Sequence, residues 1–275
     1  MQVIGLCRFS YPAIGGFQVE HETIADRMEY LYATERMEER FRTFEAITLP
    51  PLQAQTDPDF TFLILVGDSM PTPYMDRLKA LVGGMPQAVI QVHPPGPHRQ
   101  VMQDAINSVR HFDEAACLQF RMDDDDAVAR TYVARLREVA HDVAPFAARH
   151  RHIAIDFNQG FILRPAADGL WAAQTSLPYT TPGLALMVRP DVQLSIMNFS
   201  HSRVGQKMPT VTITGEDMMV RGHNDFNDSR QKPGLKPVKL ERLDTDGEAY
   251  LHRVYGIKAD LVRRLYSASD TTRSR

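Results

Sequence analysis

Four consecutive aspartates, Asp123 to Asp126, follow an apolar run, Ala116-Cys117-Leu118-Gln119-Phe120, with only Arg121 and Met122 between. The apolar run reads as a buried strand. Ala127-Val128-Ala129 beyond the acids reads as the start of a helix over roughly 127–142. Adjacent carboxylates repel one another, and unpaired acids are rarely buried. A run held between apolar segments therefore needs a compensating cation. Its place at a strand's carboxyl end is where open α/β sheets bind ligands. A divalent ion that also holds a phosphate-bearing ligand meets both demands. Two plainer readings stand beside it: a solvated acidic loop, and a cap for the next helix supplied by Asp125 or Asp126.

The sequence before the acids alternates apolar runs with helical periodicity. Val3-Ile4-Gly5-Leu6-Cys7, Phe60 to Val66 and Ala88 to Val92 read as strands. Residues 22–46 carry an apolar stripe at helical spacing, closed by Pro50-Pro51. Residues 73–82 and 99–111 read as further helices. Strands separated by helices predict a mostly parallel central sheet with helices on its faces, an α/β fold. After His152-Ile153-Ala154-Ile155-Asp156-Phe157 the pieces shorten, including Leu184 to Val188 and Thr210 to Thr214, and a mixed sheet is expected. Residues 222–247 read as a loop or lid, 248–267 as a final helix, and 271–275 as a disordered tail. The division expected is into two halves of one domain, 1–126 and 127–270.

Composition narrows the function classes. The chain has 275 residues and a net charge of −3, so no basic face for nucleic acid is implied. The two cysteines, Cys7 and Cys117, lie in apparent core strands and make neither a disulfide framework nor a zinc pattern. No apolar run reaches the roughly 20 residues that cross a bilayer. A soluble, cytoplasmic protein is expected, with peripheral membrane contact left open.

The motifs, in order, are Arg8-Phe9-Ser10, Gln55 to Phe60, Phe120 to Ala127, Ile155-Asp156-Phe157, Thr181 to Ala185, His201-Ser202-Arg203 and Arg221-Gly222-His223-Asn224-Asp225. Together they resemble the "Putative rhamnosyl transferase" family, within the GT-A type glycosyltransferases, over nearly the whole chain. The resemblance implies a metal-dependent enzyme. It would move a sugar, rhamnose by the family's name, from a nucleotide-diphosphate donor to a hydroxyl of a glycan or lipid-linked saccharide. The rival readings are an inactive sugar-nucleotide or carbohydrate-binding protein, and a nucleotidyltransferase. The latter usually carries a Gly-rich phosphate loop, which this sequence lacks.

The same resemblance assigns roles. Mn²⁺ or Mg²⁺ would be held by Asp125, with Asp123 on the ion through water or on the ribose, and by His223, with His201 as competitor. Asp123 and Asp124 would contact the donor together with Arg8, Phe9, Asp68, Arg99 and Gln100. The last two open a helix, where anions are favoured. Arg203, Lys207 and Arg221 are further cations for the diphosphate. An inverting transfer needs a base for the acceptor hydroxyl. Asp217 is expected in that role, then Glu216, with Asp156 as a further candidate; the acidic pair could equally begin a helix.

Overall fold

The computed structural model describes residues 1–15, 21–112, 115–223 and 238–273, with side chains as far as residue 267. Its strands are β1 Val3–Arg8, β2 Thr61–Gly67, β3 Ala88–His93, β4 Cys117–Met122, β5 Ala127–Val128, β6 His152–Ala166, β7 Gly169–Ser176, β8 Leu184–Val188, β9 Thr210–Gly222 and β10 Glu241–Arg242. Its helices are α1 Ile24–Tyr32, α2 Thr34–Thr43, α3 Leu49–Gln53, α4 Thr72–Val82, α5 His98–Asn107, α6 Tyr132–Asp142, α7 Ala144–Ala147, α8 Thr245–Tyr255 and α9 Ala259–Arg273.

The sheet runs β10-β7-β6-β8-β4-β1-β2-β3. The four strands of the amino-terminal half, β3, β2, β1 and β4, are all parallel. β8 then pairs antiparallel with both β4 and β6. β9 leaves the main path, parallel to β6 and antiparallel to the short β5. This is the α/β arrangement expected from sequence: a parallel half with helical cover and a mixed half.

Alternation of side chains explains why both faces are covered. Ile4 and Leu6 join Leu63 and Leu65 in one core cluster, which packs on α5 through Met102 and Ile106. Val3 and Cys7 join Phe62 and Ile64 on the other face, packed on α2 through Met37 and Phe41.

Several boundaries differ from the sequence reading. Ala127-Val128 is not helical but forms β5 against Met219 and Val220, and the helix begins only at Tyr132. The apolar pair therefore serves a sheet edge. Residues 22–46 break into α1 and α2 at Ala33, and a wide-turn segment, Phe44–Thr48, continues into α3. Pro50-Pro51 opens α3 rather than closing a helix, because proline lacks only an N–H that a first turn leaves unused. Glu216-Asp217 does not follow a strand ending at Thr214; β9 continues through it. The final helical stretch is two helices parted at Gly256, which has φ +72°, and α9 runs on to Arg273 where a tail was expected from 271. Most of the expected lid, residues 224–237, lies outside the described residues, as do Asn224, Asp225, Asn227 and Asp228. No described helix is long and apolar enough to cross a membrane.

The pairing of β6 with β9 depends on Gly160. A Cβ there would sit 1.8 Å from the Met219 carbonyl oxygen, at an irregularity in the β6–β9 register. Gly160→Ala is expected to destabilise the protein by about 1–3 kcal/mol, the scale of overpacking a tight core. Urea denaturation measures this, and unchanged stability would contradict the register.

Candidate active site

A cleft of about 230 Å³ opens at the carboxyl ends of β1 and β4. Leu6, Arg8 and Ser10 line it from β1, and Arg121 to Asp126 from β4. α2 contributes Arg36 and Arg40, which are one turn apart and so share a helix face. His98 enters from the start of α5. Thr181, Pro182, Met197, His201, Arg221 and Gly222 close the opposite wall.

The four aspartates have four different environments. Asp124 is 1% exposed and takes a charge-assisted hydrogen bond from Arg40. Its Oδ2 has no hydrogen-bond partner among the described residues. Asp126 accepts from the backbone N–H groups of Asp123 and Gly222, each at 3.1 Å. The Thr48 hydroxyl donates to the Asp126 carbonyl at 2.8 Å. Asp126 thus ties the turn to β9 and to the α2–α3 segment. Asp125 is buried beside Gly222, whose Cα approaches so closely that a Cβ would meet the Asp125 carboxyl at 2.6 Å. Asp123 keeps 43% of its side chain exposed and pairs with Arg8 at 3.3 Å.

These environments set the protonation of the run. Burial raises the Asp123 carboxyl, but Arg8, Arg40 and Arg121 overcome it and hold the group below its usual range. Burial pushes Asp124 up against the pull of Arg40. Burial, aided by the neighbouring carboxylates of Asp124 and Asp123 and opposed by Arg40, pushes Asp125 up to about 7. Burial and the charges of Asp125 and Asp123 raise Asp126 well above the usual carboxylate range. Arginine supplies part of the compensating charge that the sequence reading gave to a metal, and among the described residues the Asp124 Oδ2 is left without a hydrogen-bond partner.

Cations and neutral histidines complete the walls. Arg36 donates to the Ser10 hydroxyl at 3.1 Å and the Leu31 carbonyl at 3.2 Å. Ser10 adopts a left-handed backbone, φ +49°, a strain that structures tend to keep at functional sites. Arg8 donates to His98 Nε2 at 2.9 Å, and burial together with Arg8 lowers that imidazole to about 3, so it stays neutral.

The structure gathers some of the expected site residues and disperses others. Arg8, Asp123, Asp124, Asp125, Arg221 and His201 share the cleft. Phe9 does not: it is fully buried, edge-on to Phe41 and Phe44 at 4.9 and 5.1 Å, because alternation along β1 turns it into the core. Asp68, Arg99 and Gln100 are exposed outside the cleft, and Gln100 bonds Asp104. Arg203 and Lys207 are likewise exposed outside it. Glu216 is held by Arg135 at 2.6 and 2.9 Å. Asp217 accepts from Gln159 at 2.9 Å and from the Tyr250 hydroxyl. Neither acid lines the cleft. Asp156 is buried behind the cleft wall and accepts from the Tyr179 N–H. His223 follows Gly222 but does not line the cleft; its N–H donates to Leu163 at 2.8 Å.

Sequence reasoning missed Arg36, Arg40, Arg121 and His98. Arg36 and Arg40 flank Met37 and Phe41 on a helix facing the core, and charges inside an apolar stripe are the signal that could have found them.

A metal can be tested against these residues. No three His, Cys, Asp or Glu side chains among the described residues converge to hold an ion. Mg²⁺-type sites in phosphate chemistry need only one or two carboxylates, the substrate's phosphates supplying the rest. Asp123 and Asp125, with an unpartnered Asp124 oxygen beside them, fit a site of that kind.

The family model described as "Putative rhamnosyl transferase" matches residues 2–236. The chain belongs to that family. No curated protein matches it. Similar solved structures include S. aureus TarS 1–349, 9% identical over 81% of this chain with TM-score 0.41. The same protein in complex with UDP-GlcNAc is 8% identical over 83% of this chain with TM-score 0.42. Mouse xyloside xylosyltransferase 1 is 11% identical over 74% of this chain and 73% of its own, with TM-score 0.31. This chain spans 60% of the TarS 1–349 structures.

Two outcomes follow from the buried charges. Arg40→Met leaves Asp124 buried without its cation and should cost about 3–5 kcal/mol in urea denaturation, with Arg40→Met/Asp124→Leu recovering much of the loss. Asp125 holds a proton in the folded form up to about pH 7, whereas in the unfolded chain it loses it near 4. Stability contributed by this group therefore falls as pH rises between those values. Asp125→Asn should gain stability relative to the metal-free wild type as pH rises from 5 to 8. A difference that does not change with pH would contradict the burial of this carboxyl.

Proposed function

We propose that the protein is a glycosyltransferase that moves a sugar from a nucleoside-diphosphate donor to an acceptor hydroxyl. The observation that carries this reading is one cleft at the carboxyl ends of β1 and β4 that brings acids and cations together: the aspartate run, and Arg8, Arg36, Arg40, Arg121 and Arg221. A departing diphosphate builds negative charge, and arginines preorganised in a poorly solvated site stabilise charge at the point where it develops. Family membership supports sugar transfer as the reaction class. Rhamnose, from the family's name, is the sugar proposed.

Asp125 and Asp123 are the residues proposed to hold Mn²⁺ or Mg²⁺. When bound, such an ion adds Lewis-acid neutralisation of the two phosphates. The chain's own contribution is positional. Arg40 pins Asp124, which fixes the backbone that aims Asp123 and Asp125. Arg8 bridges Asp123 and His98 and holds that wall in place. The half comprising residues 1–126 is proposed to bind the donor. The acceptor, a glycan or lipid-linked saccharide, would enter from the half comprising residues 127–270. A cytoplasmic setting and peripheral membrane contact are part of the same proposal.

A thermal-shift panel of UDP, dTDP and GDP and their sugars, each with Mn²⁺, Mg²⁺ or chelator, tests the reading. A ligand at 100 times its dissociation constant adds about 2.7 kcal/mol, which raises the melting temperature by several degrees. At least one nucleotide should shift the wild type, more with the ion than with chelator, and the sugar donor should yield free nucleoside diphosphate without pyrophosphate. Absence of any shift would contradict the donor site, and release of pyrophosphate would place the reaction in nucleotidyl transfer.

A further inference from the structure

His201 opens a 3₁₀ segment, His201–Gln206, and lines the cleft. Its Nδ1 lies 2.7 Å from the Tyr179 carbonyl oxygen. A carbonyl only accepts, so Nδ1 carries the proton, and the lone pair of the neutral ring sits on Nε2. No hydrogen bond from a described residue reaches Nε2.

The group that sets this tautomer is itself held firmly. Tyr179 adopts a left-handed backbone, φ +60°, and with Ser10 is one of two described non-glycine residues to do so. Its N–H donates at 2.8 Å to Asp156, a carboxylate with 0% exposure that also accepts from the Thr212 hydroxyl at 3.3 Å. Across the 3₁₀ segment, Gly205 lets the Tyr179 ring approach; a Cβ there would meet the Tyr179 hydroxyl at 2.7 Å. A buried carboxylate thus fixes a strained peptide, and that peptide fixes the imidazole. A ring nitrogen held by a backbone carbonyl is the usual way to orient a histidine for proton transfer at the other nitrogen.

We propose that His201 is the general base of sugar transfer, accepting the acceptor hydroxyl proton at Nε2, with Asp156 as a positioning residue acting through Tyr179. The proposal rests on the sugar-transfer reading above. In the step, the acceptor oxygen forms a bond to the anomeric carbon as the carbon–oxygen bond to phosphate breaks. The nucleoside diphosphate leaves with the electron pair, and the hydroxyl proton passes to Nε2. A single displacement of this kind inverts the anomeric centre.

The surroundings suit the role. Burial, Arg121 from β4 and Arg221 from β9 keep the imidazole below its ordinary value, against the opposing effects of the Tyr179 carbonyl and Asp123. The ring is therefore neutral and able to accept at pH 7. A donor diphosphate among the same arginines offsets their charge and makes the imidazolium easier to form. The other acids expected as bases, Glu216 and Asp217, are bonded elsewhere, and His98 Nε2 already accepts from Arg8.

The test uses the full chain, with His201→Gln and His201→Ala beside wild type. UDP, dTDP and GDP are the binding probes, and UDP-, dTDP- and GDP-sugars the turnover probes, with water as acceptor. Both variants should bind the nucleotide that wild type binds, with unchanged affinity and metal dependence, which also shows that they fold. Turnover should fall by about 100-fold or more. Added imidazole should restore part of it in His201→Ala, and the wild-type product should have inverted configuration. Unchanged turnover, nucleotide affinity lost in step with turnover, loss confined to the metal response, or a retained configuration would each overturn the proposal. Wild type that binds no nucleotide, or binds one yet releases none from its sugar, overturns the sugar-transfer reading and the base with it.

Discussion

The buried pair between Arg40 and Asp124 is the constraint on which the rest of the site depends. It joins α2 to the turn after β4, and so couples the helical cover of the sheet to the strand end where the acids emerge. Two charges leave water to make it, and such pairs rarely stabilise a protein more than apolar packing would. Its value here is geometric. With Asp124 tied to Arg40 and Asp126 tied to the Asp123 and Gly222 N–H groups, the chain has one course through four acids. That course places all four acids in the cleft lining, with Asp123 the most exposed.

A second set of costs lies across the cleft. Ser10 and Tyr179 hold left-handed backbones, and each has a polar group that orients a wall residue: Ser10 accepts from Arg36, and Tyr179 accepts from His201. Strain, buried charge and raised carboxyl protonation collect in and around one cleft, while the strands beneath it are mostly apolar. Proteins keep such costs where a ligand later relieves them.

The parallel half of the fold was legible because its central strands are apolar runs covered on both faces, as in Phe62 to Val66. The aspartate cluster was legible as a site because acids rarely sit between apolar segments. Orientation was not legible. Phe9 and Arg8 are neighbours in one motif, yet alternation sends one to the core and the other to the cleft. Glu216-Asp217 looked like a strand exit because Gly215 precedes it, whereas β9 passes through Gly215 at φ +94° and turns the acids toward Arg135 and Gln159. Arg40 of α2 was hidden because its partner, Asp124, lies 84 residues away, a pairing that only tertiary structure creates.

The central proposal is a division of labour within the acids: Asp124 and Asp126 hold the framework, and Asp123 and Asp125 are proposed to meet the donor. Four single Asp→Asn variants, each measured for urea stability and for nucleoside-diphosphate binding with and without Mn²⁺, test it directly. The account predicts that changes at 124 and 126 lower stability. Changes at 123 and 125 should weaken metal-dependent binding and cost less stability than changes at 124 and 126. Equal behaviour of all four, or loss of binding only at 124 and 126, would contradict it.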